Sequence, residues 1–491
     1  MAQPIFIAGE WKAGRGDIRA TTFPADGSLN AEIATADASD VEDAVQAADK
    51  AWRDPSWRNR MPHERAAILY KVADLITARA KELSAMQTRD NGKPLAETMG
   101  LVMSAAGTAR YFAAVCETLD ESLPSQRSGE FMTASVHEPL GVVAAITPWN
   151  SPIASEMQKI APALAAGNAV IVKPADATPM AALKLAELFE EAGLPKGLLS
   201  VLPGRGSIVG EALVKHPLVR KISFTGGTET GRHLAHLAAE KLIPTSLELG
   251  GKSPTIVLND ADVEIAARGV CYGIFSSAGQ ACIAGARLFV QKGIYDQFMA
   301  RLLELTNGLK VGHPEKPGTH MASLINAGHL DSVASFVERA KADGGEILTG
   351  GERITGKTED CDYDAGNFFP PTIITGLDNS SYVCQQEIFG PVLVVIPFED
   401  EDELLAQAND SMFGLAAGIW TENFRKGWKL ARLLEAGTVW MNTYKKFSIS
   451  APFGGFKESG LGREKGRQGV LEYMQQKSIY IGLSDEPNPW A

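Results

Sequence analysis

Cysteine is scarce in this sequence, which has five in 491 residues, and neither a CxxC pair nor a histidine-rich segment accompanies them. The five are scattered along the chain, at Cys116, Cys271, Cys282, Cys361 and Cys384. An odd, dispersed set of this kind excludes a disulfide framework and predicts no metal site. A single catalytic thiol stays open, because it needs one cysteine in a suitable setting rather than a pair.

Positive charge is also in short supply: 47 Lys and Arg against 59 Asp and Glu give a formal net charge of −12. No segment gathers basic residues into the stripe that nucleic-acid phosphates require, so we expect no nucleic-acid partner. The apolar run 160–172 is shorter than the roughly 18 residues of a membrane helix, and residues 1–9 lack a basic segment ahead of an apolar one. We therefore expect no membrane association and a cytoplasmic location.

Low-complexity tracts are missing as well, and 45% of the residues are hydrophobic, which is typical of a globular protein. A chain of 491 residues exceeds what one hydrophobic core organises, so two or three domains are expected. Helical periodicity over 40–52 and 63–90, with Asp40 as a cap and Asn91-Gly92 as a stop, predicts a helical N-terminal region.

From Gly141 onward the pattern changes to short apolar runs separated by helix-length segments. A first series lies at 142–147, 169–173, 200–203, 220–224 and 245–249. A second lies at 255–258, 287–291 and 391–397, with helical stretches at 263–276 and 294–307. This alternation predicts parallel sheets built from strand–helix–strand units, and hence two α/β domains. Outlying strands are predicted at 131–138 and 478–482, and they indicate an oligomer interface.

The segment 275–282 places Cys282 just after a helix-like run and a glycine, Gly279. A glycine there lets the backbone turn and bring amide groups close to the thiol. Two interpretations remain at this point. Cys282 is either a reactive thiol or a small buried hydrophobic residue among Ala281, Ile283 and Ala284.

Two polar side chains stand at the ends of predicted strands. Glu248 lies at the end of an apolar run, where burial raises the pKa of a carboxyl group and favours general-base chemistry. A carboxylate that caps a turn or pairs with Lys252 explains the same pattern. Asn150, in the segment TPWN at 147–150, offers an amide donor, and by itself it is also explained as a turn cap.

Together these segments resemble the signature sequences of the aldehyde dehydrogenase superfamily over nearly the whole chain. The matching segments are KPAD at 173–176, TP at 178–179, FTGGTETG at 224–231, LELGGKSP at 247–254, GQAC at 279–282, QEIFGP at 386–391, NT at 442–443 and PFGGFKESG at 452–460. The resemblance implies an α/β fold with a Rossmann-like NAD-binding domain, an α/β catalytic domain and a small β element for oligomerisation.

The resemblance also implies where these parts lie along the chain. The NAD-binding domain would comprise residues 1–122, 141–247 and 449–468, and the catalytic domain residues 248–448. The oligomerisation strands would lie within residues 123–140 and 469–491. The family likeness further implies a homodimer or homotetramer that acts on a small-molecule aldehyde.

Three residues take catalytic roles under this resemblance. Cys282 would be the nucleophile, since a thiolate attacks carbonyl carbons near neutral pH and forms a thioester that water can cleave. The Asn150 side chain and the Cys282 backbone amide would hold the oxyanion. Glu248 would activate the water that hydrolyses the thioester. The implied activity is the NAD(P)-dependent oxidation of an aldehyde to the carboxylic acid.

The usual dinucleotide fingerprint GxGxxG is absent, because Gly204-Arg205-Gly206 is followed by Gly210, one residue too far, and we interpret these glycines as turn-forming. The resemblance instead places the pyrophosphate at the backbone amides of 226–231. A carboxylate at Asp176, near the ribose 2′ position, favours NAD and leaves NADP open. The implied cofactor residues are Thr147, Pro148, Trp149, Lys173, Asp176, Gly226, Gly227, Leu249, Glu387 and Phe389.

Three other functions fit parts of this pattern. A hydrolase or acyltransferase would need no dinucleotide site and would normally pair the thiol with a histidine, which no motif here supplies. A catalytically inactive binding or structural relative would be expected to have lost the thiol or its base. A coenzyme-A-acylating dehydrogenase typically lacks a glutamate at the position of Glu248, whose presence favours water as the acyl acceptor.

The resemblance places the substrate tunnel after Asn150, before Cys282 and after Asn442. The tunnel residues would be Ser151, Ala154, Ser155, Ser276, Lys445, Phe447 and Phe453. Small side chains at several of these positions predict a roomy, polar tunnel. Lys445 would attract an anionic group at its mouth, unless it is a solvated surface lysine. We hypothesise an aromatic aldehyde or a carboxylate-bearing semialdehyde rather than acetaldehyde.

Overall fold

The computed structural model describes residues 2–485 and residue 490, and its elements form two large sheets with helices on their faces. The first sheet has eight strands, in the spatial order Glu10–Lys12, Ile5–Ile7, Leu199–Val201, Ala169–Lys173, Val142–Ile146, Val219–Thr225, Thr245–Glu248 and Gly460–Leu461. The five strands from Leu199–Val201 to Thr245–Glu248 are mutually parallel, and Ile5–Ile7 and Gly460–Leu461 pair antiparallel with them on either side. The edge strand Glu10–Lys12 pairs antiparallel with Ile5–Ile7.

The second sheet has seven strands, in the order Glu346–Thr349, Thr372–Thr375, Val392–Phe398, Arg287–Gln291, Pro254–Val257, Ala416–Trp420 and Thr438–Met441. All neighbours are parallel except the first pair. Three further two-stranded sheets join Ile18–Thr22 to Leu29–Ala34, Phe413–Gly414 to Phe456–Lys457, and Phe131–Pro139 to Met474–Gly482. The mixed α/β class predicted from the sequence is confirmed.

The helices fall into two groups by the sheet that they accompany. The first group comprises Ala38–Arg53, Pro55–Arg58, Pro62–Ala78, Ala80–Asn91, Leu95–Glu117, Pro152–Ala165, Met180–Glu191, the π-helical turn Gly206–Gly210, Glu211–Lys215, Thr228–Lys241 and Gly466–Leu471. The second comprises Val263–Phe275, the 3₁₀ turns Ser276–Gly279 and Lys292–Ile294, Tyr295–Asn307, Ala327–Ala342, Tyr382–Gln385, Glu401–Asn409 and Phe424–Leu433.

The helical N-terminal region is confirmed with two corrections. The single helix predicted over 63–90 is two helices that break at Arg79, where neither glycine nor proline marks the break. The first helix is capped by Asp37 rather than Asp40, because the Asp37 carboxylate accepts the Ser39 and Asp40 amides. The stop at Asn91-Gly92 lies as predicted, with Gly92 in the left-handed conformation at φ 75°.

One described helix, Leu95–Glu117, is long and apolar enough to cross a membrane by length and composition, although half of its most apolar window is buried within the protein. Val102, Ala109 and Phe112 on this helix are fully buried in the first hydrophobic core. The helix packs against Pro62–Ala78 and Pro152–Ala165. Its apolar surface therefore serves the packing of the first sheet's helical layer.

Parallel pairing brings the candidate residues to one edge of the first sheet. Ile146 lies opposite Lys173 and Phe224, and Glu248 lies opposite Thr225. The strand Val142–Ile146 is buried on both faces, as expected for a central parallel strand. Loops that follow these strands therefore open on the same side, where open α/β sheets bind their ligands.

Candidate active site

Cys282 follows a tight turn that the preceding helix cannot continue. After Val263–Phe275, three consecutive residues adopt left-handed conformations: Ser277 (φ 60°), Ala278 (φ 52°) and Gly279 (φ 70°). A side chain at Gly279 would overlap the backbone carbonyl of Gly390. The turn leaves Cys282 half-buried, whereas the other four cysteines are buried.

The surroundings of the Cys282 thiol oppose its ionisation. Burial, followed by the carboxylates of Glu387 and Glu248, raises the pKa of the thiol to about 12, and Lys465 acts in the opposite direction. The thiol is therefore protonated at neutral pH in the protein without ligands. A nucleophilic role for Cys282 requires a nearby base or a nearby positive charge when substrate is bound.

Glu248 ends the strand Thr245–Glu248 and is only 3% exposed. Neither of its carboxylate oxygens has a hydrogen-bond partner among the described residues. Burial, then the charge of Glu464, raises its pKa well above the ordinary value. The loop after Glu248 runs directly against the thiol segment, because a side chain at Gly251 would overlap the Cys282 carbonyl oxygen.

Asn150 connects the first sheet to the cysteine loop. Its Nδ2 donates a hydrogen bond to the backbone carbonyl of Gln280 over 3.0 Å, across 130 residues of sequence. An amide nitrogen carries two hydrogens, so one stays available to a ligand beside Cys282. This arrangement suits a donor to an oxyanion.

Glu387 and Phe389 approach the same point from the second sheet. The Glu387 Oε1 accepts a hydrogen bond of 3.0 Å from the Gly251 amide, and burial raises the Glu387 pKa to about 7. Phe389 has a φ of 56°, and its ring lies 5.3 Å from the Trp149 ring in an edge-to-face arrangement. Both side chains therefore hold positions between the two sheets.

A cavity of about 630 Å³ unites most of the predicted site. Its lining includes Cys282, Glu248 and Asn150, together with nine of the ten predicted cofactor residues, Thr147, Pro148, Trp149, Lys173, Gly226, Gly227, Leu249, Glu387 and Phe389. A volume in this range is typical of ligand sites. The cavity also reaches residues that sequence reasoning missed: Gly206, Ser207, Gly210, Glu211, His233 and Leu234.

Gly206 and Gly210, interpreted from the sequence as turn-forming, lie in a π-helical turn that leads into Glu211–Lys215. This turn also borders the cavity, which the sequence did not predict. Opposite them, an added Cβ at Gly227 would meet no atom within 4 Å, at the N-terminus of Thr228–Lys241. Open space before a helix N-terminus fits a phosphate group.

Asp176 is the one predicted cofactor residue outside the cavity lining. Its Oδ1 accepts a hydrogen bond from Lys173 Nζ over 2.8 Å, and Oδ2 lies 3.8 Å from the Arg19 guanidinium. Sequence reasoning missed Arg19, which belongs to the hairpin Ile18–Thr22. Two cations therefore share the charge of this carboxylate.

None of the seven predicted tunnel residues lines the 630 Å³ cavity, and they lie in three groups. Ser151, Ala154 and Ser155 lie at the start of Pro152–Ala165. The Lys445 Nζ donates to Ser276 Oγ over 2.7 Å. The rings of Phe447 and Phe453 lie 5.5 Å apart.

Lys445 is half-buried rather than a solvated surface lysine, and burial lowers its pKa to about 8. Sequence reasoning missed its neighbours. Lys93 donates to Ser277 Oγ over 2.7 Å, and the Glu97 carboxylate accepts the Ser277 amide over 2.8 Å. Within residues 2–485 and 490, no group of three or more His, Cys, Asp or Glu side chains is arranged to hold a metal ion.

Comparisons with known proteins agree with this geometry. Residues 11–479 match the model of the aldehyde dehydrogenase family. An aldehyde dehydrogenase relative from Bacillus subtilis strain 168, DhaS, is 40% identical over 467 residues, which cover 95% of this chain and 92% of that one.

Two solved structures are similar over nearly their full length. One is an aldehyde dehydrogenase from Bacillus cereus in complex with NAD+, with 37% identity, a TM-score of 0.95 and coverage of 99% of this chain and 97% of that chain. The other is betaine aldehyde dehydrogenase from Staphylococcus aureus with NAD+, with 35% identity, a TM-score of 0.96 and coverage of 100% and 97%. The chain therefore belongs to the aldehyde dehydrogenase family.

Proposed function

We propose that the protein oxidises an aldehyde to its carboxylic acid with NAD+, through a thioester on Cys282. The observation that carries this proposal is the single cavity shared by the thiol, the buried Glu248, Asn150 and the predicted dinucleotide residues. The cofactor is NAD, as in the similar structures solved with NAD+. Gly226, Gly227 and the helix N-terminus behind them would hold its pyrophosphate, Lys173 its adenosine ribose and Glu387 its nicotinamide ribose.

The first half of the reaction forms the thioester. Cys282 loses its proton to solvent water, and the Lys465 charge favours this loss because it lowers the pKa of the thiol. The sulfur attacks the aldehyde carbon, and the carbonyl electron pair becomes an oxyanion held by Asn150 Nδ2 and the Cys282 amide. Bound NAD+ accepts the hydride, which leaves the acyl group on sulfur.

The second half releases the acid. Glu248 takes a proton from water, the water oxygen bonds to the acyl carbon, and the C–S bond breaks with its electron pair on sulfur. The burial of Glu248 and its unpaired oxygens support water as acceptor over coenzyme A. Retention of Cys282, Glu248 and Asn150 around one cavity argues against an inactive relative.

We expect the substrate to be an aromatic aldehyde or a carboxylate-bearing semialdehyde. Benzaldehyde and succinic semialdehyde should exceed acetaldehyde in kcat/KM by about tenfold or more, because each fills a tunnel of small side chains with additional contacts. Absorbance of the reduced cofactor measures the rates. Acetaldehyde as the best of the three would refute the size argument, and no reduced cofactor with any aldehyde would refute the proposed function.

Replacing Asp176 with serine should narrow the preference for NAD over NADP. The carboxylate repels a 2′-phosphate, but Lys173 and Arg19 share its charge and its side chain is 34% exposed, so the effect should be about fivefold or less in the kcat/KM ratio. Glu211→Gln is the matched control, since this second carboxylate borders the cavity. A larger change of the kcat/KM ratio in Glu211→Gln would assign the repulsion of the 2′-phosphate to Glu211. A wild type that prefers NADP would contradict the role of Asp176.

The domain boundaries and the oligomer remain proposals. The boundary near 248 is supported by the transition from the first sheet to the second, at Glu248 and Pro254. The strands Phe131–Pro139 and Met474–Gly482 pair antiparallel apart from both large sheets, with Tyr480 and Ile481 exposed, which supports a subunit interface. Residues 486–489 and 491 of the proposed oligomerisation segment lie outside the described residues.

Two measurements address these remaining proposals. Sedimentation velocity distinguishes the expected homodimer or homotetramer from a monomer. Cell fractionation tests the cytoplasmic location expected from the sequence.

A further inference from the structure

Lys465 is a buried cation next to the proposed tunnel, and sequence reasoning did not identify it. The backbones of Phe453 and Glu464 exchange two hydrogen bonds of 2.7 Å, which place Lys465 directly beside the Phe453 segment. The Lys465 side chain is 7% exposed. Its Nζ lies 3.9 Å from the Phe447 ring centroid and 4.8 Å from that of Phe453.

The backbone of Lys465 is also held in an unfavourable conformation. Its φ is 60°, a left-handed value that lysine rarely adopts and glycine adopts freely. Strained residues of this kind persist where the surrounding structure holds them, often at functional sites. The side chain packs against two neighbouring aromatic rings, Phe447 and Phe453.

The Lys465 ammonium group makes no hydrogen bond and no ion pair with any described residue. Two other buried lysines, Lys159 and Lys221, are compensated, whereas Lys252 Nζ also has no hydrogen-bond partner among the described residues. Lys159 lies 2.5 Å from Glu464, and Lys221 lies 2.7 Å from Ser246 Oγ and 3.6 Å from Glu472. An ammonium group carries three donors, and Lys465 uses none of them on the described residues, so all three are available to an anion or to water.

The reacting groups lie within the electrostatic range of this cation. Burial lowers the Lys465 pKa, while the charges of Glu464, Cys282 and Glu248 raise it. A bound carboxylate would raise the pKa further and hold the lysine charged. A ligand that contacts both Lys465 and Cys282 therefore joins an anionic group to the carbon that the thiol attacks.

The two lysines beside Ser276 and Ser277 already have hydrogen-bond partners. Lys445 donates to Ser276 Oγ and Lys93 to Ser277 Oγ, both over 2.7 Å. The Glu97 carboxylate raises the pKa of both lysines and so offsets part of their charge. Each of these two cations already uses one donor on a serine hydroxyl, whereas Lys465 uses none on the described residues.

We propose that the Lys465 ammonium group binds the carboxylate of an aldehyde whose carbonyl lies at Cys282, which makes Lys465 the residue that selects anionic aldehydes. The assignment rests on the proposed function and goes beyond it by transferring the recognition of the anion from Lys445 to Lys465. The rings of Phe447 and Phe453 both contact the ammonium group and would pack against the carbon skeleton of the substrate.

The test compares isosteric pairs of substrates. Succinic semialdehyde is paired with 4-methylpentanal, and 4-carboxybenzaldehyde with 4-isopropylbenzaldehyde, so that each pair differs by one carboxylate. In Lys465→Met the ratio of kcat/KM within each pair should fall by about 30-fold or more, since a buried charge loses its partner. Lys465→Arg should keep most of the ratio. Lys445→Met should lower it only slightly, and Lys446→Met, at an exposed neighbouring lysine, should leave it unchanged.

A binding measurement separates this proposal from the proposed function. Glutarate, which resembles the anionic substrates and cannot be oxidised, should slow alkylation of Cys282 in the wild type and not in Lys465→Met. Thermal shift by NAD+ confirms folding of each variant. If Lys465→Met fails to fold, Lys465→Gln takes its place. Without turnover of any aldehyde the proposed function fails, while glutarate protection still tests Lys465.

Three outcomes would overturn the assignment. An equal loss of kcat/KM for both members of a pair in Lys465→Met would limit Lys465 to a role at the thiol. A larger fall in Lys445→Met than in Lys465→Met would return the recognition of the anion to Lys445. A wild type that prefers the neutral member of each pair would show that no carboxylate is bound.

Discussion

Cys282→Ala is expected to abolish aldehyde oxidation, with kcat/KM falling by at least about 10⁴-fold, because no covalent intermediate can form without the thiol. Absorbance of the reduced cofactor measures the loss, and thermal shift by NAD+ should show that cofactor binding survives. Cys361→Ala is the matched control: this thiol is buried with Phe23 and Phe368, away from the cavity, and its loss should leave turnover intact. Substantial turnover in Cys282→Ala would remove Cys282 from the mechanism.

Alkylation gives an independent measure of the same residue. Cys282 should be labelled before the other four cysteines, because it alone among the five is half-buried rather than buried. Its pKa of about 12 means that the thiolate is scarce at neutral pH, so the labelling rate should rise as the pH increases. Peptide mass spectrometry identifies the labelled site, and earlier labelling at any other cysteine would contradict the expected reactivity.

Glu248→Gln is expected to form reduced cofactor in a burst equal to the enzyme concentration and then to turn over about 10²- to 10⁴-fold more slowly. Thioester hydrolysis needs the base, whereas hydride transfer precedes that step. Intact-protein mass spectrometry should show the accumulated acyl-enzyme. In the wild type, Glu248 acts only when deprotonated, so hydrolysis should be lost as the pH falls through its raised pKa.

A second buried carboxylate provides the control for that experiment. Glu156, on Pro152–Ala165, is fully buried, its two oxygens also lack partners among the described residues, and it does not line the cavity. Glu156→Gln should therefore keep rapid hydrolysis. Unchanged steady-state turnover in Glu248→Gln would contradict the base assignment, and slow hydrolysis in both variants would indicate a general effect of buried charge.

The composition and the motifs of this chain were sufficient to predict its class, its family and its candidate chemistry. Short apolar runs separated by helix-length segments predicted all five parallel strands of the first sheet. A central parallel strand is buried on both faces and therefore needs a continuous apolar run. The short segments around Cys282, Glu248 and Asn150 carry their signal locally. The N-terminal strands Ile5–Ile7 and Glu10–Lys12 and the break at Arg79 escaped prediction, since no local residue pattern marks them.

Only the tertiary structure decided how these segments meet. The hydrogen bond between Asn150 and Gln280, the ion pair between Arg19 and Asp176, and the contact of Lys465 with two rings each join parts of the chain that sequence spacing does not relate. Burial decided the charges, because the same carboxyl group has an ordinary pKa in water and a raised one at Glu248. Residue identity thus determined which chemistry is available, whereas packing of the two sheets determined which groups are desolvated, paired or left free to bind substrate.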